Sequence, residues 1–259
     1  IEQTIIDFSR SPELKKKEIG INLAEAKLLE KEQNILFKAI EAFTGLILAN
    51  EKYRINIRNF NLLERQVETD RIRVDRGEIT FSDLAQSESS FAGAEAKFIQ
   101  AKNEIITSKL NYENIIGPIS DPNSLSKKTN LQFSIPGSLN EAIEISKKNN
   151  LDILIAKLEL EQSEKDIQIA RSDLSPTATL SIERSYSDDF SSTYDEREKD
   201  ILKASVKWPF YSGGKKRATI SKNQNLKNRK RLLLDNAIKT NETSVAGAWS
   251  NLQSSKSFL

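Results

Sequence analysis

Apolar positions along the first 76 residues recur at the spacing of an α-helix. Between Pro12 and about Arg76 the only glycines are Gly20 and Gly45, which predicts one helix of about 65 residues, roughly 100 Å long. A helix of this length is stable only alongside other helices. Its larger apolar residues predict a heptad seam with one skip, at Leu36, Ile40, Phe43 and Ile47 and then at Tyr53, Ile57, Phe60, Leu63 and Val67.

A second helix is predicted to fold back on the first. Gly77 interrupts the pattern, and Thr80 with Asp83 three residues later forms a capping-box start for a helix over about 81–116. Because the turn is so short, the two helices should form an antiparallel hairpin. Larger side chains form one row of this helix, at Leu84, Phe91, Phe98, Ile105 and Tyr112, and mostly smaller ones form the other, at Ser87, Ala94, Ala101, Ser108 and Ile115. The two rows predict a tight coiled-coil seam.

Two shorter helices are predicted after a polar linker. Gly117 and Pro118 end the second helix, and the following segment is rich in Ser, Pro and Asn. Helices are expected over 138–149 and 151–174. The 81–116 helix and these two, placed end to end, would match the length of the first helix and could line it throughout.

The period of the pattern changes to 2 after Pro176, which predicts two strands. The first covers residues 177–186. One face of the second strand is apolar and the other carries Lys203, Ser205 and Lys207; the apolar face consists of Leu202, Ala204, Val206, Trp208 and Phe210. Two strands of about ten residues with one apolar face are typical of a membrane β-barrel hairpin. A half-buried hairpin of a soluble protein is the alternative, because the signal of each strand is weak.

The segment between the strands, residues 187–200, is predicted to be a solvated loop. It is polar and contains six carboxylates, Asp188, Asp189, Asp195, Glu196, Glu198 and Asp200. Since these residues lack the spacing of a calcium-binding loop, we expect no metal site there.

The chain shows an internal repeat. Gly213 and Gly214 introduce another helix that is still running at Leu259, and residues 5–9 precede the first long helix as residues 210–214 precede this one, at an offset of about 205 residues. The second copy would therefore be cut off. Ile1 is not a methionine and no signal peptide follows it, so we expect an internal fragment.

Composition excludes several classes of function. The chain has no Cys, His or Met, which removes thiol chemistry, the usual zinc ligands and the commonest general base. Its 39 basic and 37 acidic residues leave a net charge of +2, so no nucleic-acid partner is expected. No run approaches the roughly 20 apolar residues of a membrane-spanning helix. We predict no enzyme, no cofactor and no metal.

Four segments resemble the TolC family of outer-membrane channel proteins. Residues 73–88, RVDRGEITFSDLAQSE, resemble the family's hairpin-tip motif; 139–153 resemble its short-helix start, with Asn150-Leu151 where a proline is usual; 170–176 resemble its entry to the strand, and 208–214, WPFYSGG, its strand exit. Together they cover nearly the whole chain in the family's order.

The resemblance implies a mainly α-helical protein with membrane β-strands, whose long antiparallel helical hairpins form an α-barrel continuous with a trimeric transmembrane β-barrel. It maps the chain as the end of a barrel strand (1–10), a periplasmic helical hairpin (11–117), an equatorial linker (118–138), stacked shorter helices (139–174), a barrel hairpin with an external loop at 187–200 (175–212) and the start of a second long helix (213–259).

The implied function is a passive exit duct in the outer membrane and periplasm of a Gram-negative bacterium. It would serve a tripartite efflux pump or a type I secretion system as a homotrimer, with a periplasmic adaptor, an inner-membrane pump and outer-membrane lipid as partners. The family's tip motif places a periplasmic gate at Ser82 and Asp83 and an adaptor-docking tip at Arg76, Gly77 and Glu78. The apolar row from Leu202 to Phe210 is predicted to face lipid.

Simpler interpretations stay open at each site. Asp83 also suits a first-turn carboxylate at a helix N-terminus, and Gly77 suits an ordinary turn glycine flanked by solvated charges. A periplasmic adaptor shares the coiled-coil hairpin but should add lipoyl-like and small β-barrel domains, which are not visible here. A soluble coiled-coil scaffold leaves the alternating strands unexplained.

Overall fold

The computed structural model describes residues 1–125, 135–191 and 194–257. Contacts divide the chain into two units, residues 1–30 with 135–259, and residues 31–134. In chain order the elements are β1 (Glu2–Ile6), α1 (Arg10–Asp75), α2 (Phe81–Ile115), a short 3₁₀ turn (Pro122–Ser124), α3 (Leu139–Asn149), α4 (Leu151–Ser172), β2 (Thr177–Ser191), β3 (Tyr194–Lys207) and α5 (Lys215–Ser257). No helix in these ranges is both long enough and apolar enough to cross a membrane.

The second unit is a two-helix coiled coil. All ten positions of the two rows expected on α2 are buried or half-buried, and Ala94 and Ala101 are the most enclosed. Four aromatic rings from α1 and α2 pack in the seam: Phe60 lies 5.2 Å from both Phe91 and Phe98, and Tyr53 lies 5.8 Å from Phe98, between ring centroids. Ring pairs at this separation stabilise the contact beyond simple area burial.

The expected skip in the α1 seam is wrong. Leu36 and Ile40 are 65% and 61% exposed, whereas an unbroken heptad row of buried or half-buried residues runs through Leu46, Ala49, Tyr53, Asn56, Phe60, Leu63, Val67, Asp70 and Val74. Several of these side chains are small or polar, so a search for large apolar residues does not detect them. Small residues at the seam let the two backbones approach closely, which makes Ala49 as much a contact position as Leu46.

In the first unit, α3 and α4 are held at their starts by side-chain caps. The Ser138 hydroxyl accepts a hydrogen bond from the Glu141 amide, and the Asn150 side-chain oxygen accepts one from the Ile153 amide. These caps satisfy backbone donors that the helices themselves leave unpaired. A new helix therefore starts at Leu151, with only Asn150 between it and the end of α3, and it ends at Ser172 rather than at about Leu174 as expected.

Acidic residues of α4 pair with lysines on both neighbouring long helices. Asp166 contacts Lys16 of α1 at 2.5 Å, and Glu159 contacts Lys230 of α5 at 2.7 Å. The lysine pairs hold the pKa of the Glu159 carboxyl below its usual value, chiefly through the hydrogen bond from Lys230. These ion pairs accompany the buried apolar residues Ile153, Ile167 and Ala170 of α4, and partly exposed pairs of this kind add modest stability each.

The three strands form one antiparallel sheet in the order β1-β2-β3. The register places Ala178 opposite Val206, Leu180 opposite Ala204 and Ile182 opposite Leu202. Directly opposite residues of an antiparallel pair project from the same face. The apolar rows of β2 and β3 therefore coincide, and Ile6 of β1 joins them beside Ala178.

The expected loop at 187–200 is wrong. Strand β2 continues to Ser191 and β3 begins at Tyr194, with Ser187 opposite Arg197 and Asp188 opposite Glu196. Opposite charges across the strands explain why a polar segment stays paired: Arg184 forms ion pairs with Glu198 and, at 3.6 Å, with Asp200. The side chains of Asp189 and Asp195 lie outside the described residues. Strand β3 ends at Lys207, so Trp208 and Phe210 follow the strand rather than belonging to it.

Candidate functional site

The turn between α1 and α2 is fixed by its backbone. The Gly77 amide donates to the Val74 carbonyl at 2.8 Å, and the Glu78 amide donates to the Arg73 carbonyl at 2.9 Å. This pair of bonds is the Schellman ending of a helix, and it requires a left-handed residue just after the helix. Gly77 has a φ of 72°. A residue with a Cβ would be strained there, which gives this glycine a structural role whether or not a partner docks on it.

The start of α2 is held by a capping box. The Asp83 amide donates to the Thr80 hydroxyl at 3.2 Å, while Asp83 Oδ2 accepts from the Thr80 amide at 3.0 Å and from the Thr80 hydroxyl at 2.8 Å. The hydrogen bond from the Thr80 amide, followed by that from its hydroxyl, lowers the pKa of the Asp83 carboxyl. The first-turn role weighed for Asp83 is therefore present, and the neighbouring Ser82 is exposed.

A buried carboxylate lies in the seam about two helical turns before Gly77. Asp70 is 4% exposed, and its Oδ2 accepts hydrogen bonds from the Ser87 hydroxyl at 2.6 Å and from the side-chain amide of Gln66 at 2.9 Å. The Ser87 bond, then the Gln66 bond, lowers the pKa of the Asp70 carboxyl, against the opposing effect of burial. Sequence reasoning missed Asp70; an aspartate at a heptad position opposite the small row of α2 was the available signal.

The residues assigned to gating and docking lie together on one exposed turn. Arg76, Gly77 and Glu78 follow directly after the end of α1, and Ser82 and Asp83 lie in the first turn of α2. All five residues are exposed. The tip also carries Phe81, which is 80% exposed and which the sequence analysis did not assign. The turn therefore offers a compact surface with charged, polar and aromatic groups on a fixed backbone.

The sheet provides a second candidate surface. On its apolar face Leu202 is 71% exposed and Val206 73%, and beyond the strand Trp208 is 62% and Phe210 84% exposed; Ala204 is exposed as well. The opposite face is polar, with the Thr179 and Ser205 hydroxyls hydrogen-bonded at 2.6 Å. An exposed, contiguous apolar face of this kind marks contact with lipid or with another protein surface.

The apolar face has a defined end. The Ile182–Leu202 pair is its last apolar rung, and the next residues on that face are Arg184 and Asp200, which form an ion pair with each other. Among the described side chains no three His, Cys, Asp or Glu residues come together as metal ligands would.

Sequence comparisons relate the chain to outer-membrane proteins. Residues 142–259 match the family model "Outer membrane efflux protein". The outer membrane efflux protein BepC of Brucella suis is 24% identical over 230 residues, which cover 88% of this chain and 50% of the relative. The alkaline protease secretion protein AprF of Pseudomonas aeruginosa is 20% identical over 219 residues, covering 83% of this chain and 46% of that protein. The chain thus spans about half the length of the curated relatives it matches.

Structural comparisons show the same fold. The outer-membrane channel OprN superposes with a TM-score of 0.80 at 16% identity, over 99% of this chain and 58% of that one. The outer membrane protein VceC from Vibrio cholerae gives a TM-score of 0.78 at 15% identity, over 97% of this chain and 61% of its own. The expected fold class, long helical hairpins combined with strands in the manner of TolC, is confirmed.

Proposed function

We propose, from the match of residues 142–259 to the family model "Outer membrane efflux protein" and from the TolC-like fold, that the protein is a passive exit duct across the outer membrane. The duct serves a tripartite efflux pump or a type I secretion system, and it performs no catalysis. Among the relatives, BepC is named for efflux and AprF for protease secretion, so both kinds of cargo remain within the proposal.

The exposed apolar face of the sheet is the observation that carries the proposal. Its three rungs across β2 and β3 combine only apolar residues, while the other face holds Thr179, Ser205 and Lys203. In a membrane barrel the apolar side meets lipid and the polar side meets the aqueous lumen. A soluble scaffold would leave this face in water, where each exposed side chain loses the free energy of burial.

Closure of the barrel supports a homotrimer. An open sheet cannot stand in lipid, because the backbone groups of its edge strands would lack hydrogen-bond partners. An exposed row on α1 also supports assembly with other copies. Leu14, Ile21 and Leu28 recur every seven residues and are 61%, 60% and 60% exposed. Among the residues that the structure describes, nothing covers this row, which has the spacing of a coiled-coil seam. Neighbouring copies in the trimer cover this row and supply the missing strands.

The tip turn is the proposed meeting point with the pump. Arg76, Gly77 and Glu78 form the docking surface for a periplasmic adaptor, and Ser82 and Asp83 contribute to the gate. The fixed backbone of the turn supports docking, since a preformed surface loses less conformational entropy on binding. Asp83 combines a structural role with the proposed gating role, because the carboxylate that completes the capping box of α2 is at the same time exposed at the tip.

The proposal is tested by expressing the full-length protein and reconstituting it. We expect it to fractionate with outer membranes, to need detergent for extraction and to conduct ions as a trimer in planar lipid bilayers. A full-length protein that stays soluble and monomeric without detergent would rule out the duct.

A further inference from the structure

A carboxylate occupies a seam position that would ordinarily be apolar. Asp70 follows Val67 in the heptad row of α1 and is almost fully buried against α2. Taking a charge out of water is costly unless hydrogen bonds and an opposite charge replace the lost hydration. Ser87 and Gln66 provide two hydrogen bonds to one carboxylate oxygen. The other oxygen, Oδ1, faces Nη1 of Arg73 at 3.5 Å.

Arg73 carries the interaction out of the seam to the tip turn. Its Nε lies 3.4 Å from Oε2 of Glu78, on the far side of Gly77. The backbone carbonyl of Arg73 also accepts the Glu78 amide. A continuous chain of contacts thus runs from Ser87 on α2, through Asp70 and Arg73 on α1, to Glu78 in the turn.

The two ends of this chain differ in strength. The Arg73–Glu78 pair is about half exposed on both sides, and exposed ion pairs alone hold a side chain only weakly. Asp70, by contrast, is fixed by burial and by two hydrogen bonds. Asp70 therefore orients the Arg73 side chain, and Arg73 in turn gives its contact with Glu78 a fixed geometry.

We propose that Asp70 is the positioning residue of the hairpin tip: through Arg73 it holds the turn at Gly77 and Glu78 in one conformation. It touches neither cargo nor adaptor. Its importance for docking and gating rests on the proposed function, whereas its effect on the turn does not.

Three variants of the full-length protein separate this role from simple packing. Asp70→Asn keeps an acceptor for Ser87 but presents an amide donor to Arg73, so it breaks the outward contact alone. Arg73→Ala breaks the same contact from the other side. Ser87→Ala removes the bond between the helices but leaves Asp70 facing Arg73. Arg71→Ala is the matched control, because Arg71 pairs with Glu88 at the same level of the hairpin, at 2.9 Å, outside the chain of contacts.

Hydrogen exchange of the Gly77 and Glu78 amides, followed by mass spectrometry, is the readout, since both amides close the Schellman turn. We expect exchange to accelerate about tenfold in Asp70→Asn and Arg73→Ala, and less than about threefold in Ser87→Ala and Arg71→Ala. Equal exchange in Asp70→Asn and Arg71→Ala would overturn the inference, and so would acceleration in Asp70→Asn without acceleration in Arg73→Ala. The measurement needs no adaptor, pump or cargo, so its result is independent of whether the protein proves to be a duct.

Discussion

At the scale of single residues, the tip shows how one side chain can serve structure and a proposed function together. Asp83 accepts two hydrogen bonds from Thr80, and these bonds favour the ionised carboxyl. The stabilisation is therefore present above the ordinary pKa of 3.8 and is lost as the pH falls through the lowered pKa of the folded state. A gate that used Asp83 would loosen in acid for the same reason.

This coupling predicts a pH-dependent difference between variants. Asp83→Ala removes the carboxylate half of the capping box at every pH, so wild type should melt at a higher temperature than the variant at pH 7, and the gap should narrow as the pH falls below about 4. Thermal unfolding of the full-length protein, followed by circular dichroism, measures the gap. Asp75→Asn is the control, an exposed carboxylate at the end of α1 and outside the capping box. A gap that is constant from pH 7 to pH 3 would contradict the assignment of the cap.

At the scale of elements, sequence patterns predicted regular features well and irregular ones poorly. The capping box at Thr80, the seam of α2 and the apolar row of β3 all follow from side chains at a fixed period. The seam of α1 was misjudged because Ala49 and Asp70 contribute to it without being large and apolar. The strand extension within residues 187–200 was missed because its stability comes from cross-strand pairing, which depends on a partner distant in sequence.

The face assignment of the hairpin yields a prediction for adjacent residues. Val206→Arg places a charge on the apolar face and should destabilise the assembled barrel by about 2–4 kcal/mol if the site lies near the bilayer centre. Ser205→Arg, one residue earlier and on the polar face, should assemble normally. Heat-modifiable migration on gels after outer-membrane extraction measures assembly. Equal behaviour of the two variants would mean that the two faces do not meet different solvents.

At the scale of the whole molecule, many large apolar side chains of the described residues are exposed to solvent. The heptad row on the first part of α1 is exposed, and so is one face of the sheet. A mean hydropathy of −0.51 nevertheless marks the chain as polar overall. Apolar residues are thus concentrated in stripes rather than spread over the surface, which is the distribution expected of a subunit that completes its core by assembly.

The exposed α1 row provides a test of the proposed trimer. Ile21→Asp would bury an unpaired carboxylate between helices of neighbouring copies, at a cost of several kcal/mol, and should shift the full-length protein from trimer towards monomer. Asn22→Asp adds the same charge one residue away, outside the row, and should leave the trimer intact. Light scattering in detergent distinguishes the two. Trimers of equal abundance in both variants would exclude this row as a subunit contact.

The paired ribbon beyond the Ile182–Leu202 rung also limits where the chain tolerates a change in length. In a loop, one inserted residue is absorbed locally. In a register-locked strand, an insertion between Glu196 and Asp200 would shift the following segment by one place and turn Leu202, Ala204 and Val206 to the opposite face of the sheet. An epitope with an odd number of residues, inserted in this apparently permissive acidic segment, would therefore exchange the two faces of β3 unless a bulge absorbed the extra residue.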